Sequence, residues 1–137
     1  MKYWLLKSEP DVYSWQKLVA DGRGKWDGVR NHTAKLNLLA MKKGDRAFFY
    51  HSNIGKEIVG TMEIVREAYP DTSAEKGAWF MVDVAPLKAA TTPLTLADIR
   101  TIPELAAMML VNNSRLSVQP VTPAEWKAVC KRIGVPA

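Results

Sequence analysis

The sequence has few of the residues from which metal, disulfide and nucleophilic sites are built. Its 137 residues include one cysteine and two histidines, too few for the His-x-Glu and Cys-x-x-Cys signature of a zinc deaminase. Cys130 has no partner for an internal disulfide, which indicates a reducing compartment. We therefore predict no metal, no cofactor and an intracellular, cytoplasmic protein.

Long apolar runs and phosphate-binding loops are missing as well. No stretch approaches the ~20 consecutive apolar residues of a membrane helix, so we expect no membrane partner. No glycine-rich loop follows a strand, and neither Ser8 nor Ser52 lies in the strained elbow of a serine hydrolase. These absences argue against an enzyme and leave action on a small nucleotide as the least favoured alternative.

The chain does have positive charge and a sizeable hydrophobic fraction. Nineteen basic residues against 14 acidic ones give a formal net charge of +5, and 47% of the residues are hydrophobic. This length and composition predict one domain over residues 1–137. A basic surface favours a polyanionic partner, but the basic residues are scattered, so the fold has to assemble any nucleic-acid surface.

Periodicity predicts a strand and two helices in the first third of the chain. Alternation from Tyr3 to Ser8 indicates a strand, and Asp11 is expected to cap a helix that ends near Gly22. Its buried face would carry Val12, Trp15, Leu18 and Val19. A second helix is expected from Asn31, with Lys42 and Lys43 in its last turn and Gly44 beyond.

Strands dominate the middle of the chain. We predict them from Arg46 to Ser52, from Glu57 to Tyr69 and from Ala78 to Leu87. Gly60 lies inside the second run, which suggests a bulge or a close approach by another part of the chain. The sheet is therefore expected to be bent.

The last third predicts short helices, an edge strand and a well-capped final helix. Short helical turns are expected at Thr95–Arg100 and Pro103–Leu110, and Pro120 places the strand Ser117–Val121 at a sheet edge. In the final helix Thr122 and Glu125 have capping-box spacing, and Cys130 falls on the buried face. The element order predicts an α+β fold, a small curved sheet or barrel with helices around it.

The run from Trp26 to His32 has the composition of a pocket for a flat polar ligand. It combines an aromatic ring in Trp26, a cation in Arg30 and an amide in Asn31. Such groups stack on a base, engage phosphate and pair with a base edge. The alternative is a loop whose Trp26 fills the core and whose Asn31 caps a helix.

Three further segments place polar groups where strands begin or end. They are Lys7–Pro10, Tyr50–Asn53 and Ser114–Ser117. Together with Trp26 they would supply hydroxyl and amide groups for a base edge and cations for phosphate. Taken one at a time, each segment is also explained by turn formation and strand-end capping.

In their combined order, several segments of this chain resemble the EVE domain family of PUA-like proteins. The segments are Tyr3–Ser14, Trp26–Asn31, Lys43–Asp45, Phe49–Ser52 and Arg115–Val121. The resemblance runs nearly end to end. It implies a PUA-like curved β-barrel of about five to six strands flanked by short helices, and a non-enzymatic reader of a modified base, such as modified cytosine in DNA.

The resemblance also implies which residues form the site. The expected base pocket comprises Ser8, Glu9, Trp26, Val29, Asn31, Tyr50, His51 and Ser52. The expected rim and backbone contacts are Lys7, Arg30, Asn53, Arg115, Leu116 and Ser117. If Trp26 stacks on the base, Trp26→Ala should abolish binding and leave the melting temperature nearly unchanged.

Two segments bear on affinity. Val111–Ser114 lacks basic residues, which predicts weaker phosphate binding, and the short loop Pro70–Gly77 predicts a more open pocket without touching the Trp26 segment. DNA is the favoured partner over RNA, with any effector protein supplied separately. RNA binding without a modification preference is the main alternative, and the compact length suggests a bacterial source.

Overall fold

Six strands form one mixed sheet in the computed structural model, which describes residues 1–137. The strands are β1 (Tyr3–Ser8), β2 (Gly24–Trp26), β3 (Arg46–His51), β4 (Glu57–Pro70), β5 (Phe80–Thr95) and β6 (Val118–Val121). Their order is β2-β5-β4-β3-β1-β6; β1 and β3 are parallel, and every other pair is antiparallel. The α+β class is confirmed. The barrel is not closed, because the outer strands β2 and β6 do not pair with each other.

Five α-helices and one 3-10 helix accompany the sheet. The helices are α1 (Trp15–Asp21), α2 (His32–Ala40), α3 (Leu96–Ile99), α4 (Met109–Asn112) and α5 (Pro123–Ile133), and the 3-10 helix is Pro103–Leu105. None of them combines the length and the apolar character needed to cross a bilayer.

The predicted start of α1 is wrong, and its predicted buried face is confirmed for Trp15 and Leu18 but wrong for Val12 and Val19. Ser14, not Asp11, caps the helix by accepting a hydrogen bond from the Lys17 N–H at 3.0 Å. The residues before it form a turn, because the Glu9 carbonyl accepts from the N–H groups of Val12 and Tyr13. Val12 is consequently 76% exposed, and Val19 on the helix is 51% exposed. Gly22, at φ 72°, ends the helix as predicted.

The start of α2 is confirmed and its predicted end is wrong. The Asn31 side chain caps the helix by accepting from the Ala34 N–H at 2.9 Å. The helix stops at Ala40, before the lysine pair. The cause is Asp45, whose carboxylate accepts from the Lys42 N–H at 3.0 Å and holds a separate turn that includes Gly44 at φ 95°.

The bend predicted at Gly60 is present. Phe49 pairs with Gly60 whereas Tyr50 pairs with Ile58, so Val59 is an extra residue in β4. A Cβ on Gly60 would lie 2.6 Å from the Trp15 ring, so only glycine permits this contact. β5 runs to Thr95, well past the predicted Leu87, because the early half of β4 supplies it with partners.

The predicted edge strand and the predicted capping box of the last helix are confirmed. Pro120 lies in the edge strand β6. Both bonds of the capping box form, with the Thr122 N–H donating to Glu125 at 2.9 Å and the Glu125 N–H donating to Thr122 at 3.2 Å. Cys130 is fully buried.

Strand alternation divides the core into two clusters, one on each face of the sheet. Leu6 and Phe49 belong to the first cluster, which packs against α1 and α2 and includes Trp26. Leu5 and Phe48 belong to the second, which α5 covers with Trp126. The polar ends of β1 and β3 lie beside the first cluster, and they bound the site described next.

Candidate nucleic-acid interface

The topology brings the three predicted wall segments together. Because β1 and β3 are parallel, Ser8 pairs with His51, and the next N–H, that of Ser52, donates to the Ser8 carbonyl at 3.0 Å. Because β6 is antiparallel to β1, its entry lies at the same edge, where the Lys7 N–H donates to the Ser117 carbonyl at 2.9 Å. One edge of the sheet therefore collects all three segments.

A cavity of about 640 Å³ opens at this edge, and we call it the strand-end cavity. Its volume is in the range of pockets that hold small ligands. The predicted site residues that line it are Lys7, Ser8, Glu9, Trp26, Val29, Arg30, Ser52, Arg115 and Ser117. Asp27, Gly28 and Ser114 also line it and lie in segments that were predicted to form the pocket. The lining residues outside every predicted pocket segment are Val12, Tyr13 and Lys25.

Five predicted site residues do not line the cavity: Asn31, Tyr50, His51, Asn53 and Leu116. Tyr50 follows Phe49 in β3, so alternation turns its ring to the opposite face, where it joins the second core cluster. Leu116 is only 5% exposed and packs in the first cluster. Both faces of β3 carry apolar residues, so the local sequence does not show on which face Tyr50 lies.

The remaining three residues, Asn31, His51 and Asn53, form side-chain hydrogen bonds within the protein. The His51 Nε2 atom accepts from the Trp15 N–H at 3.1 Å, which requires a neutral imidazole. Burial lowers the pKa of His51, against the opposing charge of Glu57. Asn31 is the cap of α2, and the Asn53 amide donates to the Glu9 carboxylate at 2.8 Å. The side-chain hydrogen-bonding groups of these residues are therefore already engaged within the protein.

Trp26 fills the core and also contributes to the cavity. Its ring meets Phe49 edge to face at 5.1 Å between centroids and Tyr13 at 6.3 Å, and only 5% of the residue is exposed. The expectation that Trp26→Ala leaves stability nearly unchanged is therefore wrong. Truncating a buried aromatic residue costs about 3–5 kcal/mol.

Asp71 fixes the turn that follows Trp26. Its side chain is completely buried and accepts from the Gly28 N–H at 2.9 Å and the Arg30 guanidinium at 3.0 Å. Burial alone would raise the pKa of Asp71, but hydrogen bonds from Ser73, Gly28 and Arg30 together lower it to about 2. The prediction that the loop Pro70–Gly77 does not touch the Trp26 segment is wrong, because this carboxylate binds it directly.

The cations around the cavity differ in whether they are already paired. Arg30 is bound to Asp71, and the Lys7 ammonium donates to the Ser114 carbonyl at 2.6 Å. Burial also lowers the pKa of Lys7. Lys25 and Arg115 are exposed and form no ion pair, so they remain free to meet phosphate.

Tyr13 is a lining residue that the sequence did not reveal. Its hydroxyl is buried and has no hydrogen-bond partner within the protein. Burial raises its pKa, and the negative charge of Asp21 adds to the effect, so the phenol stays protonated. The hydroxyl approaches Gly24 so closely that any Cβ there would clash with it. The close contact explains why residue 24 is glycine, but it joins residues 11 positions apart and cannot be recognised from the sequence.

The arrangement is suited to binding rather than to acyl transfer. A serine nucleophile needs an adjacent base, and the His51 Nε2 atom is occupied by the Trp15 N–H. No group of three or more metal-ligating side chains lies together. What the cavity offers is aromatic surface, serine hydroxyls, the exposed carboxylate of Asp27 and unpaired cations.

Comparison with known proteins places the chain in a family. The model of the EVE domain matches residues 2–132. Mouse thymocyte nuclear protein 1 is 39% identical over 90% of this chain and 70% of its own length. A protein of Rhodopseudomonas palustris solved by NMR is 57% identical, with a TM-score of 0.92 over 98% of this chain and 94% of that one.

A further solved structure carries a ligand. It is the human THYN1 protein in complex with 5-methylcytosine-containing DNA, 35% identical, with a TM-score of 0.89 over 100% of both chains. The match to the family model over nearly the whole sequence, and identity well above 30% to its members, agree with each other. This chain belongs to the EVE domain family.

Proposed function

We propose that this chain is a single EVE domain over residues 1–137 that binds nucleic acid and reads a modified base without chemistry. Modified cytosine in DNA is the leading ligand. The observation that carries the proposal is the strand-end cavity, which combines an aromatic wall, free carboxylate and hydroxyl groups and two unpaired cations. The complex of the human relative with 5-methylcytosine-containing DNA supports the choice of ligand.

The lining residues suggest how a cytosine would be held. Asp27 is exposed on the cavity wall, and a carboxylate accepts a hydrogen bond from the cytosine N4 amino group. The Ser52 hydroxyl can donate to the base edge, whereas the Ser8 hydroxyl, which donates to the Tyr13 carbonyl at 2.8 Å, can only accept from it. Trp26 and Val29, both nearly buried, provide apolar surface against which a methyl group fits.

The energies imply moderate selectivity. Taking a base out of the stack costs a few kcal/mol, and contact with an aromatic side chain returns about 1–3 kcal/mol. A methyl group on an apolar wall adds roughly 0.8 kcal/mol, which is about fourfold in affinity. A larger preference would require a polar contact to the modification or a clash with other bases.

The first test is a titration by fluorescence anisotropy. Labelled DNA and RNA oligonucleotides would carry cytosine, 5-methylcytosine, 5-hydroxymethylcytosine or N6-methyladenine, at two salt concentrations. We expect a preference for one modified cytosine that persists at the higher salt. Asp27→Ala should weaken binding of every cytosine-containing oligonucleotide by a similar factor, because it removes the acceptor for the amino group that modified and unmodified cytosine share and leaves the buried core untouched.

Phosphate contacts are tested by the salt dependence. Arg115→Ala should lower the slope of log K against log salt by about one, as expected for one lost phosphate contact. Lys131→Ala is the matched control, since Lys131 is an exposed cation on α5, on the other face of the sheet. An equal change in both variants would contradict a role for Arg115 at the rim.

The cationic rim also favours a second candidate, binding of RNA without regard to modification. Equal and strongly salt-dependent affinity for every oligonucleotide would establish it in place of the reader. Action on a small nucleotide would require turnover that disappears in Ser8→Ala. Since a reader cannot cleave its target, any downstream reaction would belong to a separate effector protein.

A further inference from the structure

One branched apolar side chain is exposed in the wall of the strand-end cavity, and a second is exposed on the turn that follows a lining residue. Val12 is 76% exposed and lines the cavity itself. Ile54 is 59% exposed and lies two residues beyond Ser52, which lines the cavity too. Isolated exposed apolar residues are common on protein surfaces, but Val12 lies in a lining that is mainly polar, and Ile54 follows closely after its lining residue Ser52.

The turn that carries Val12 is held in place from both sides. The Glu9 carbonyl accepts from the Val12 and Tyr13 N–H groups at 2.9 Å, and the Ser8 hydroxyl donates to the Tyr13 carbonyl at 2.8 Å. These hydrogen bonds fix the backbone from which the exposed Val12 side chain projects.

The turn that carries Ile54 is tied to the first. The Ile54 N–H donates to the Ser52 carbonyl at 2.7 Å, and the neighbouring Asn53 amide donates to the Glu9 side chain at 2.8 Å. Asn53 adopts a left-handed backbone conformation, at φ 65°, to make this connection. The two turns thus form one ordered rim with an apolar residue on each.

An apolar residue in this place has a physical use if the cavity takes a base out of a duplex. The extruded base leaves a flat gap between the neighbouring base pairs, and the gap is lined by apolar ring faces. Proteins that distort duplexes insert apolar side chains between base steps for this reason. A polar side chain would have to give up its hydration to do the same.

We propose that Val12, with Ile54 beside it, is a wedge that occupies the gap left in duplex DNA when the modified base enters the strand-end cavity. The inference rests on the proposed function and adds a preference for duplex over single strand. Lys25 and Arg115, the unpaired cations of the same cavity, would hold the flanking phosphates while the wedge is inserted. A single strand leaves no gap, so binding to it makes no use of Val12.

The test compares duplex and single-stranded DNA that carry the same single 5-methylcytosine. In Val12→Ala we expect about tenfold weaker binding to the duplex, from loss of two methyl groups at the gap, and unchanged binding to the single strand. Val19→Ala is the matched control, because Val19 is 51% exposed on α1 and does not line the cavity. Val12→Leu, which keeps the apolar bulk, should retain duplex binding.

A second measurement, the fluorescence of 2-aminopurine, reports directly on the stacking of the bases beside the gap. With 2-aminopurine next to the modified base, the wild type should raise the fluorescence on binding, and Val12→Ala at saturation should raise it less. Equal losses on duplex and single strand, or no loss on the duplex, would overturn the wedge while wild-type selectivity still supported the reader. A wild type that binds all oligonucleotides equally, or none, would overturn the proposed function and the wedge with it.

Discussion

Replacing Asp71 with asparagine tests whether one buried charge holds the turn that borders the strand-end cavity. The carboxylate accepts hydrogen bonds from the Gly28 N–H, from Arg30 and from both the N–H and the hydroxyl of Ser73. An asparagine of the same shape keeps one acceptor oxygen and turns an NH₂ group toward donors. The substitution therefore removes the charge and creates a conflict between donors, with little change in volume.

The size of the effect follows from the pKa of Asp71, which falls from the ordinary value of 3.8 to about 2. Each unit corresponds to 1.36 kcal/mol, and Arg30 is 37% exposed, so solvent screens part of the attraction. We expect Asp71→Asn to lower the free energy of unfolding by about 2 kcal/mol at pH 7. For a chain of this length the melting temperature should fall by roughly 5–8 °C.

The same shift predicts how the difference depends on pH. Because the folded state lowers the pKa, the stabilisation is present above pH 3.8 and is lost as the pH falls toward 2. Urea unfolding of both proteins at pH 7, 5 and 3 should show a gap in stability that is constant at the first two values and about half as large at pH 3.

Asp27→Asn is the control for this experiment, since Asp27 is an exposed carboxylate in the same segment and forms no ion pair. It should leave the free energy of unfolding unchanged within ~0.5 kcal/mol. Equal stability of Asp71→Asn and the wild type at pH 7, or a gap that does not depend on pH, would refute the assignment of Asp71 as the buried charge that orders this turn.

Two further predictions concern the core. Gly60→Ala places a methyl group 2.6 Å from the Trp15 ring, so we expect a loss of about 1–3 kcal/mol in urea unfolding; an unchanged midpoint would mean that α1 shifts freely. Burial raises the pKa of the Cys130 thiol to about 11, so Ellman's reagent at pH 8 should label it only as the protein unfolds. Rapid labelling of the native protein would show that α5 opens locally.

Elements with strong local signals could be predicted from the sequence. The capping box of α5, the Asn31 cap of α2 and the bulge next to Gly60 all depend on residues close together in the chain. The start of α1 could not be predicted in this way. The Val12 and Tyr13 N–H groups donate to the Glu9 carbonyl and form a turn, which helical periodicity does not indicate. β2 was missed because three residues, Gly24–Trp26, are too few for a pattern.

The location of the site was also predictable in outline. Polar residues at strand ends marked Ser8 and Ser52 as candidate wall residues, but the parallel pairing of β1 and β3 that brings them to one edge is evident only from the structure. The sheet face that each residue occupies was harder to predict. Tyr50 has the side chain expected of a stacking residue, yet its place in β3 turns it away from Phe49 and the cavity.

Which residues remain free to bind is a separate question, and it is decided by long-range partners. His51, Asn53 and Arg30 have the chemistry of ligand contacts, but their hydrogen bonds go to Trp15, Glu9 and Asp71. These partners are about 40 residues distant in sequence, so no local motif indicates that the groups are occupied.

In the proposed recognition, the exposed and unpaired groups would supply polar and phosphate contacts, whereas the paired groups give the cavity its shape. Asp27, Lys25, Arg115 and Val12 are among the exposed lining residues whose side chains have no such partner. Their substitution should change affinity while the fold persists. Substitution of Asp71 should change the fold first and affinity only as a result, whereas substitution of Trp26, which lies in both the core and the cavity wall, should lower both. The ratio of the two effects in each variant therefore separates binding residues from structural ones.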